Sequence, residues 1–290
     1  MALPVISIVL PTFNGSRYLE ESVESCLNQS FTNWELIIVD DASNDSTPQI
    51  IDKYIAKDCR IRSVRHVSNR KLPAALNTGF NLARGTYFTW TSDDNCYKPN
   101  ALEVMITALS KDVTAAGVYA AYELIDEHGK WLASESAVDQ KHLVLGNFVG
   151  PCFLYSRSIA EKIGCYDEEL FLVEDYDYWL RVSRSNRMIP LKDSLYIYRT
   201  HSRSLTALKQ REISKLHAVL LIRNLPCIKW LSPKQMLAGW LSVASILVQE
   251  SEWKLAITTF VKAFKISPVL SFYYLIKIKL SDRSVLSELV

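Results

Sequence analysis

The stretch that decides the fold is VISIVLPTFNGSRYLEESVESCLNQSFTNWELIIVDDASNDST, residues 5–47. Near its two ends lie short runs rich in β-branched residues, VISIVL at 5–10 and ELIIV at 35–39, and such runs are typical of buried strands. The first run is predicted to end at Pro11. Between the two runs, apolar residues recur at helical spacing, namely Leu19, Val23, Cys26 and Leu27. The stretch therefore predicts a strand, a helix and a second strand.

The same alternation of strand and helix continues to about residue 114. Ser46 is a candidate N-cap for a second helix. Further strands are predicted at 61–67 and 86–91, and each is followed by a helical pattern, at 73–85 and 100–112. Alternation of this kind predicts a parallel sheet flanked by helices, in which ligands bind at the carboxyl ends of the strands.

The pattern changes at about residue 115. Residues 115–132 are typical of a strand and a hairpin, and we expect a mixed α/β arrangement up to 204. Everything after about 205 has a helical pattern. We therefore predict one α/β domain over 1–204, with halves of about 1–114 and 115–204, and a basic helical extension over 205–290.

Length and composition place the chain among ordinary globular proteins. It has 290 residues, of which 49% are hydrophobic and 22% are charged, a balance that excludes disordered, collagen-like and coiled-coil proteins. The six cysteines include no CxxC pair, which argues against a zinc ribbon or a disulfide framework. Residues 1–14 lack the basic start and the cleavage site of a signal peptide. We therefore expect a cytoplasmic protein.

Charge is distributed unevenly along the chain. Residues 1–180 carry 15 Lys and Arg against 25 Asp and Glu, whereas residues 181–290 carry 18 against 6. In the basic part, the charges alternate with apolar runs that are shorter than the roughly 20 residues of a spanning helix. We expect 205–290 to make peripheral contact with the inner face of the cell membrane. A solvated surface, dimerisation and docking of a partner enzyme are the alternatives for this segment.

Two pairs of acids follow predicted strands, Asp40-Asp41 and Asp93-Asp94. Carboxylates grouped at strand ends are the oxygen ligands that Mg²⁺ or Mn²⁺ accepts, usually together with substrate phosphates. An Asp at a strand end can equally be the N-cap of the following helix. Because the chain has no GxGxxG after the first strand, no Walker loop, no HExxH and no GxSxG, dinucleotide, P-loop, metalloprotease and serine-hydrolase chemistry lose their main signals. The two acid pairs thus favour a site that binds a divalent metal together with a phosphorylated donor substrate.

Five ordered segments resemble the successive motifs of a family 2 glycosyltransferase of GT-A fold. They are PTFN at 11–14, VDDASNDST at 39–47, AALNTGFNLARG at 74–85, TSDDN at 91–95 and VEDYDYWLR at 173–181. The resemblance covers residues 5 to about 203 and is closest to the bacterial surface-polysaccharide type. It implies a Rossmann-like mixed sheet flanked by helices, followed here by the C-terminal helical extension.

The resemblance implies a nucleotide-sugar site on the first strands, formed by residues 11–14 together with Asp40. In the family, the segment that matches Pro11, Thr12, Phe13 and Asn14 packs against the base, and the acid that matches Asp40 binds the uracil edge. A ring can stack on Phe13, and a carboxylate can accept from a base N–H; a buried core position is the alternative for Phe13. Arg70 and Lys71 match basic residues near the diphosphate, with simple solvation as their alternative.

The segment TSDDN occupies the place of the family's metal-binding DxD motif. Thr91 stands where many members have the first acid, and this is the departure from the pattern. The resemblance matches Asp93 to the ribose contact and Asp94 to the ligand of Mn²⁺ or Mg²⁺. His201, in the segment YRTHSRS, is a further candidate that could approach the metal or the diphosphate.

In VEDYDYWLR, the resemblance makes Asp175 the base that deprotonates the acceptor hydroxyl. Glu174 takes that role if the register differs by one residue. The alternative for both is that they are first-turn acids favourable to a helix dipole. Asp177, two positions along the helix, is expected to point elsewhere.

The function implied is inverting, metal-dependent transfer of a sugar from a nucleoside diphosphate, with UDP preferred, to a hydroxyl of a glycan or lipid-linked glycan. The enzyme would be of the hexosyltransferase or N-acetylhexosaminyltransferase type, with no nucleic-acid partner. A catalytically silent nucleotide-sugar binder or scaffold that acts through its helical tail is the alternative. Donor sugar, linkage and oligomeric state are set by loops and surfaces that no spacing rule describes.

Overall fold

The computed structural model describes residues 3–279 and 283–290. The chain divides into two compact units. The first contains Met1–Ala137, Val149–Glu174 and Arg187–His201. The second contains Val138–Phe148, Asp175–Asn186 and Ser202–Val290. Residues 138–148, 175–186 and 202–204 of the predicted domain thus cluster with the C-terminal helices. The domain boundary near 205 stays a prediction.

The first unit contains a nine-stranded mixed sheet with helices between its strands. Its strands are β1 (Ile6–Thr12), β2 (Trp34–Asp40), β3 (Ile61–Arg65), β4 (Tyr87–Trp90), β5 (Cys96–Tyr97), β6 (Gly117–Ile125), β7 (Trp131–Glu135), β8 (Phe153–Ser156) and β9 (Met188–Arg199). Its helices are α1 (Leu19–Leu27), α2 (Thr47–Lys57), α3 (Lys71–Leu82), α4 (Ala101–Lys111) and α5 (Arg157–Ile163).

The sheet order is β3-β2-β1-β4-β8-β6-β9-β5, with β7 paired to β6. The first four strands in this order are mutually parallel, whereas β8 is antiparallel to both β4 and β6. The predicted fold class, a mixed α/β sheet with flanking helices and a helical C-terminal part, is confirmed.

Strands β1 and β2 are buried along their whole length, which explains their continuous apolar runs. The prediction that the first strand ends at Pro11 is wrong, because β1 continues to Thr12. Strand β4 pairs with β1 only as far as Val9. Pro11 therefore has β2 as its neighbour strand, where it lies opposite Val39, and a proline is tolerated where one side of a strand is unpaired.

The second unit is helical. It contains most of α6 (Glu174–Ser183), and all of α7 (Leu205–Asn224), α8 (Pro233–Gln249), α9 (Trp253–Ile266) and α10 (Pro268–Lys279). Helix α8 is buried from Leu237 to Leu247 and begins with a capping box in which Ser232 and Gln235 bind each other's backbone N–H. Among the described residues, no helix combines the length and the apolar character needed to cross a bilayer.

Candidate functional site

The carboxyl ends of β1, β2 and β4 lie side by side in the first unit. Thr12 and Asp40 are register partners at the ends of β1 and β2. The N–H of Asp41 donates to the carbonyl oxygen of Thr12 over 2.9 Å. Beyond β4, the N–H of Thr91 donates to the carbonyl of Val9 over 3.0 Å. The parallel sheet thus brings the predicted acids to one edge, as the strand-helix alternation requires.

Asp93 is fixed to the end of β1. Its Oδ2 accepts a hydrogen bond from the Thr12 hydroxyl, and its carboxylate also accepts one from the backbone N–H of Phe13. Burial, together with the neighbouring Asp94 carboxylate, raises the pKa of Asp93 to about 7. Gly15 makes this packing possible, because a Cβ at that position would overlap the Asp93 carboxylate and the Thr12 hydroxyl.

The two carboxylate oxygens of Asp40 differ in their hydrogen bonding. Its Oδ1 accepts from the N–H of Ser43 over 2.9 Å. Its Oδ2 is buried and makes no hydrogen bond within the described residues, although the Arg65 Nε lies 3.2 Å away. A buried carboxylate oxygen without a hydrogen bond is costly, so it marks a position where a ligand N–H could bind.

Asn14 joins the loops that follow β1 and β2. It adopts a left-handed conformation with φ of 55°, which Asn tolerates better than most residues. Its Oδ1 accepts from the N–H of Asn44 over 2.8 Å, and its own N–H donates to the Ser43 hydroxyl over 2.9 Å. Asn14 therefore contributes to the site by shaping the loop.

Phe13 and Pro11 differ in their exposure. The Phe13 side chain is 46% exposed, so the alternative of a buried core aromatic is wrong. An exposed ring directly after a strand offers a surface on which a planar ligand can stack. Pro11, in contrast, is buried within β1.

Asp41 has a structural role. Its carboxylate accepts from the N–H groups of Arg70 and Lys71, both over 2.8 Å, and lies 2.7 Å from Nδ1 of His66. The other ring nitrogen of His66 lies 3.0 Å from the hydroxyl of Thr78 on α3. Asp41 thus binds the start of α3, where anions are favourable, and holds the loop that carries the two basic residues.

The side chains of Arg70 and Lys71 have neighbours of their own. The Arg70 guanidinium lies 3.3 Å from the carboxylate of Glu168, and both groups are about half-exposed. The Lys71 ammonium lies 5.8 Å from the centre of the Phe171 ring. Lys71 also has φ of 73°, a left-handed conformation that Asp41 supports through the N–H of the same residue.

Asp94 meets His201 at the end of β9. Its Oδ2 lies 3.0 Å from Nε2 of His201. Its Oδ1 is buried and makes no hydrogen bond within the described part of the chain. The pair therefore presents a carboxylate oxygen and an imidazole nitrogen in one place, which are groups that bind a divalent metal.

Sequence reasoning missed Arg199, which anchors this corner. Its backbone N–H donates to the Asn95 side chain over 2.8 Å, and its Nε donates to the Asp94 carbonyl over 3.2 Å. Its guanidinium is buried, binds Glu21 over 2.6 Å and lies 4.5 Å from the centre of the Tyr18 ring. In the sequence, Arg199 could have been noticed because it lies two positions before the candidate metal ligand His201.

The chemistry of Asp94 and His201 fits a divalent metal, but the described residues provide few ligands for it. Within residues 3–279 and 283–290, no group of three or more His, Cys, Asp or Glu side chains could hold a metal ion. Asp94 and His201 could provide two ligands, and Mg²⁺ in phosphate-binding sites usually takes its remaining ligands from water and phosphate oxygens.

Thr91, the departure from the DxD pattern, is fully buried. Its hydroxyl lies 2.5 Å from the Tyr196 hydroxyl. A carboxylate at this position would be buried without a cationic partner in that pair, which is costly. The threonine therefore fits its buried position, and Asp93 and Asp94 provide the carboxylates of the candidate site.

Asp175 is described within the second unit. Its Oδ2 accepts from Nδ2 of Asn147 over 2.8 Å, and its Oδ1 accepts from the N–H of Tyr176 over 2.6 Å. Burial raises the pKa of Asp175 above its ordinary value, while these two hydrogen bonds oppose the shift. Oδ1 of Asn147 is buried and makes no hydrogen bond within the described residues. Sequence reasoning did not find Asn147, because no motif links it to residue 175.

The residues beside Asp175 on α6 are buried. Glu174, the alternative base, is 3% exposed. Asp177 binds Arg181 over 2.7 Å, one helical turn along. Tyr176 donates to the carbonyl of Leu143, and its ring centre lies 4.7 Å from that of His217, whose pKa burial lowers to about 4.

Comparison with known families identifies the chain. Residues 7–164 match the model of "Glycosyl transferase family 2", which is more than half of the chain. The chain belongs to glycosyl transferase family 2. An uncharacterized glycosyltransferase of Rickettsia prowazekii is 32% identical to this family 2 member over 226 residues, covering 72% of this chain and 70% of the relative.

Solved structures share the fold of this family 2 glycosyltransferase. The Staphylococcus aureus protein TarS, residues 1–349 in complex with UDP-GlcNAc, aligns with a TM-score of 0.65 at 17% identity and covers 89% of this chain and 81% of its own. The mannosyltransferase PcManGT from Pyrobaculum calidifontis, in complex with GDP-Man and Mn²⁺, also aligns with a TM-score of 0.65 at 17% identity. That alignment covers 96% of this chain and 81% of PcManGT.

Proposed function

We propose that this family 2 glycosyltransferase transfers a sugar from a nucleoside diphosphate, with UDP preferred, to a hydroxyl of a glycan or lipid-linked glycan. The transfer inverts the configuration at the anomeric carbon and depends on a divalent metal. The observation that carries the proposal is the edge of the first unit, where Asp40, Asp93 and Asp94 lie at the ends of neighbouring parallel strands. Assembly of a bacterial surface polysaccharide is the proposed context.

The base of the nucleotide is proposed to stack on Phe13, whose ring is half-exposed. The Asp40 Oδ2, which forms an ion pair with Arg65 but makes no hydrogen bond within the described residues, would then accept from a ring N–H of the base. Uracil, thymine and guanine carry such an N–H, whereas the corresponding nitrogen of cytosine is an acceptor. This contact therefore favours UDP, dTDP or GDP over CDP, because two acceptors that face each other leave both unsatisfied.

The ribose is proposed to bind Asp93, and the diphosphate to bind near Arg70 and Lys71. Asp41 supports this arrangement because it holds the backbone of both basic residues. The Arg70 guanidinium would exchange its exposed Glu168 partner for a phosphate, and such an exposed ion pair contributes little stability. Arg binds phosphate through a planar fork of donors. Asn14 and Pro11 shape the loop and strand beneath the base.

Asp94 and His201 are the residues proposed to hold the metal, Mn²⁺ or Mg²⁺, together with the diphosphate. When bound, such a metal supplies Lewis-acid neutralisation of the charge that develops on the leaving group. The chain's own contribution is to fix the two ligands. Arg199 fixes the backbone of Asp94 and, through β9, the start of the segment that carries His201.

Asp175 is proposed to accept the proton of the acceptor hydroxyl as that oxygen attacks the anomeric carbon. The bond between the anomeric carbon and the phosphate oxygen breaks, and the nucleoside diphosphate leaves with the bonding electrons. Burial suits Asp175 to this task, because a raised pKa makes the carboxylate a stronger base. Asn147 is proposed to orient the carboxylate through its 2.8 Å hydrogen bond.

The similar proteins support a hexosyl or N-acetylhexosaminyl donor. TarS was solved with UDP-GlcNAc and PcManGT with GDP-Man and Mn²⁺. Both share the fold alone at 17% identity, so the donor sugar has to be measured.

A thermal-shift panel tests the proposal. It compares UDP, GDP, CDP and dTDP, each with and without Mn²⁺, on the full chain. A ligand that binds only the folded state adds about 2.7 kcal/mol of stability at 100 times its dissociation constant. We expect stabilisation by UDP that requires Mn²⁺, and none by CDP. If no nucleotide stabilises the protein, a catalytically silent scaffold that acts through its helical tail replaces the proposal.

A further inference from the structure

Helices α9 and α10 expose an apolar face to solvent within the second unit. The face consists of Trp253, Ile257, Val261, Phe264, Val269 and Phe272 and is named the α9–α10 face. Trp253, Ile257 and Val269 are 59%, 64% and 79% exposed. The rings of Phe264 and Phe272 lie 5.7 Å apart and join the two helices into one surface. Contiguous exposed apolar surface of this kind marks an interaction site.

Helix α9 carries two separate apolar stripes. The inner stripe includes Ala256 and Ala263, which are buried and hold the helix in its unit. The outer stripe runs through Trp253, Ile257, Val261 and Phe264, at spacings of three and four residues that place these side chains on one face. The inner stripe already packs α9 against the rest of its unit. Packing therefore does not explain why the outer stripe is apolar.

A row of lysines lies beside the outer stripe. Trp253, Val261 and Phe264 are each followed directly by a lysine, namely Lys254, Lys262 and Lys265. One residue further along an α-helix is about 100° further around it, so the lysines form a basic edge to the apolar stripe. All three lysines are exposed. The Lys262 ammonium lies 4.2 Å from the centre of the Trp240 ring, and Lys254 and Lys265 are the other two cations of this edge.

Helices α9 and α10 contain lysines and no acidic residue. The sequence contains no Asp or Glu from 253 to 281. Glu252, which precedes the face, lies 4.0 Å from Lys215. A second copy of the chain would bring two basic edges together, whereas a surface of anionic headgroups complements them. Aromatic and aliphatic residues bordered by lysines are the composition of helices that lie in a membrane interface.

We propose that the α9–α10 face binds the surface of a bilayer that contains anionic lipids. The apolar side chains enter the boundary between headgroups and acyl chains, and Lys254 and Lys265 contact the headgroup phosphates. This inference assigns the peripheral membrane contact expected for 205–290 to named residues. It would hold the enzyme beside the lipid-linked acceptor of the proposed function, but lipid binding and sugar transfer can fail separately.

Vesicle flotation of the full chain tests the inference. One set of vesicles is phosphatidylcholine alone, and the other also contains phosphatidylglycerol. We expect binding to the anionic vesicles and at least about fivefold less to the neutral ones, since each lysine near an anionic surface contributes about 1 kcal/mol. Ile257→Ser with Phe264→Ser should lower binding about tenfold or more, because both side chains lose apolar burial. Lys254→Gln with Lys265→Gln should remove most of the preference for anionic lipid.

Val113→Ser is the matched control, because Val113 is an exposed apolar residue of the first unit. It should leave vesicle binding unchanged, and circular dichroism should show all variants folded. Equal flotation of the wild type and the Ile257→Ser, Phe264→Ser variant would overturn the inference. So would a lipid-free dimer that these two substitutions dissociate, since the occupant of the face would then be a second copy. Nucleotide stabilisation, measured in parallel, reports the proposed function independently.

Discussion

Nε2 of His201 lies 3.0 Å from Oδ2 of Asp94, although 107 residues separate them in the chain. Strand β9 brings them together, because Arg199 at its end binds both the Asp94 carbonyl and the Asn95 side chain. The other Asp94 oxygen is buried without a hydrogen bond within the described residues. This geometry is the basis for proposing Asp94 and His201 as metal ligands.

His201→Gln should weaken the metal dependence of nucleotide binding without destroying the fold. The substitution removes the proposed imidazole ligand while Asp94 stays in place. Loss of a group that only supports a ligand already costs about 10–100-fold in metal affinity, so a loss of at least that size is expected. Titration of Mn²⁺ into the UDP-saturated protein, followed by thermal shift, measures this. His128→Gln, in the exposed turn of the β6–β7 hairpin, is the matched control and should titrate as the wild type does.

Gly15→Ala should impair nucleotide binding through Asp93. The added methyl group would overlap the Asp93 carboxylate and the Thr12 hydroxyl, and overpacking of this kind costs about 1–3 kcal/mol. Urea unfolding gives the change in free energy, and calorimetry gives the UDP affinity. Gly146→Ala meets only the Phe148 ring, at 3.5 Å, and serves as the control. Unchanged UDP affinity in Gly15→Ala would show that Asp93 is not a nucleotide contact.

Asp41→Asn should weaken binding of the diphosphate more than binding of the nucleoside. The substitution removes the charge that holds the backbone of Arg70 and Lys71 and pairs with His66. Hydrogen bonds to a charged group contribute about 1.5–3 kcal/mol each, so the free energy of unfolding should also fall by about that amount. Comparison of UDP with uridine by calorimetry separates the two effects. An equal loss for both ligands would contradict the role of this loop in phosphate binding.

Asp175→Asn should abolish transfer and leave the fold intact. A general base contributes about 10²–10⁴-fold to the rate. Burial raises the pKa of Asp175 in the folded state above its unfolded value. The ionised carboxylate therefore destabilises the folded state at neutral pH, and this cost disappears as the pH falls through the raised pKa. The Asn variant is relieved of this cost, but its side chain can accept only one of the two hydrogen bonds that Asp175 accepts. Its free energy of unfolding at pH 7 should therefore stay within about 1.5 kcal/mol of the wild-type value.

The pH profile gives a second readout of the same residue. Because the base works only when ionised, kcat/KM should fall on the acid side with a midpoint above the ordinary aspartate value of about 3.9. Asn147→Leu removes a hydrogen bond that favours the carboxylate, so it should move this midpoint to higher pH. Release of nucleoside diphosphate from the donor measures both. Retained activity in Asp175→Asn together with its loss in Glu174→Gln would assign the base to Glu174 instead.

The parallel half of the fold could be predicted from the sequence because each of its strands is a local, uninterrupted apolar run. The runs at 5–10 and 35–39 correspond to β1 and β2, which are buried on both faces. The pairing of β6 with β9 could not be predicted. Strand β9 contains Pro190 and the pair Lys192-Asp193, and its register against β6 shifts twice, so its sequence lacks a clean alternation.

The candidate site divides in the same way. Asp40 ends β2 and Asp93 and Asp94 come shortly after β4, all within motifs, so local pattern was enough to propose them as site residues. Arg199 and Asn147 were missed because their importance depends on contacts that form only in the folded chain. Asp40 and Asp41 are adjacent in one motif but have different surroundings, since one Asp40 oxygen makes no hydrogen bond within the described residues, whereas the Asp41 carboxylate binds the start of α3.

Calorimetric titration of UDP into the wild type, Asp94→Asn and Asp52→Asn, each with and without Mn²⁺, tests the central claim most directly. Asp52 is an exposed acid on α2, so its variant makes the same chemical change away from the site. We predict that Mn²⁺ raises UDP affinity in the wild type and in Asp52→Asn, and that Asp94→Asn loses this increase. UDP binding that is equally tight with and without Mn²⁺, or that Asp94→Asn leaves unchanged, would contradict a metal-dependent donor site at Asp94.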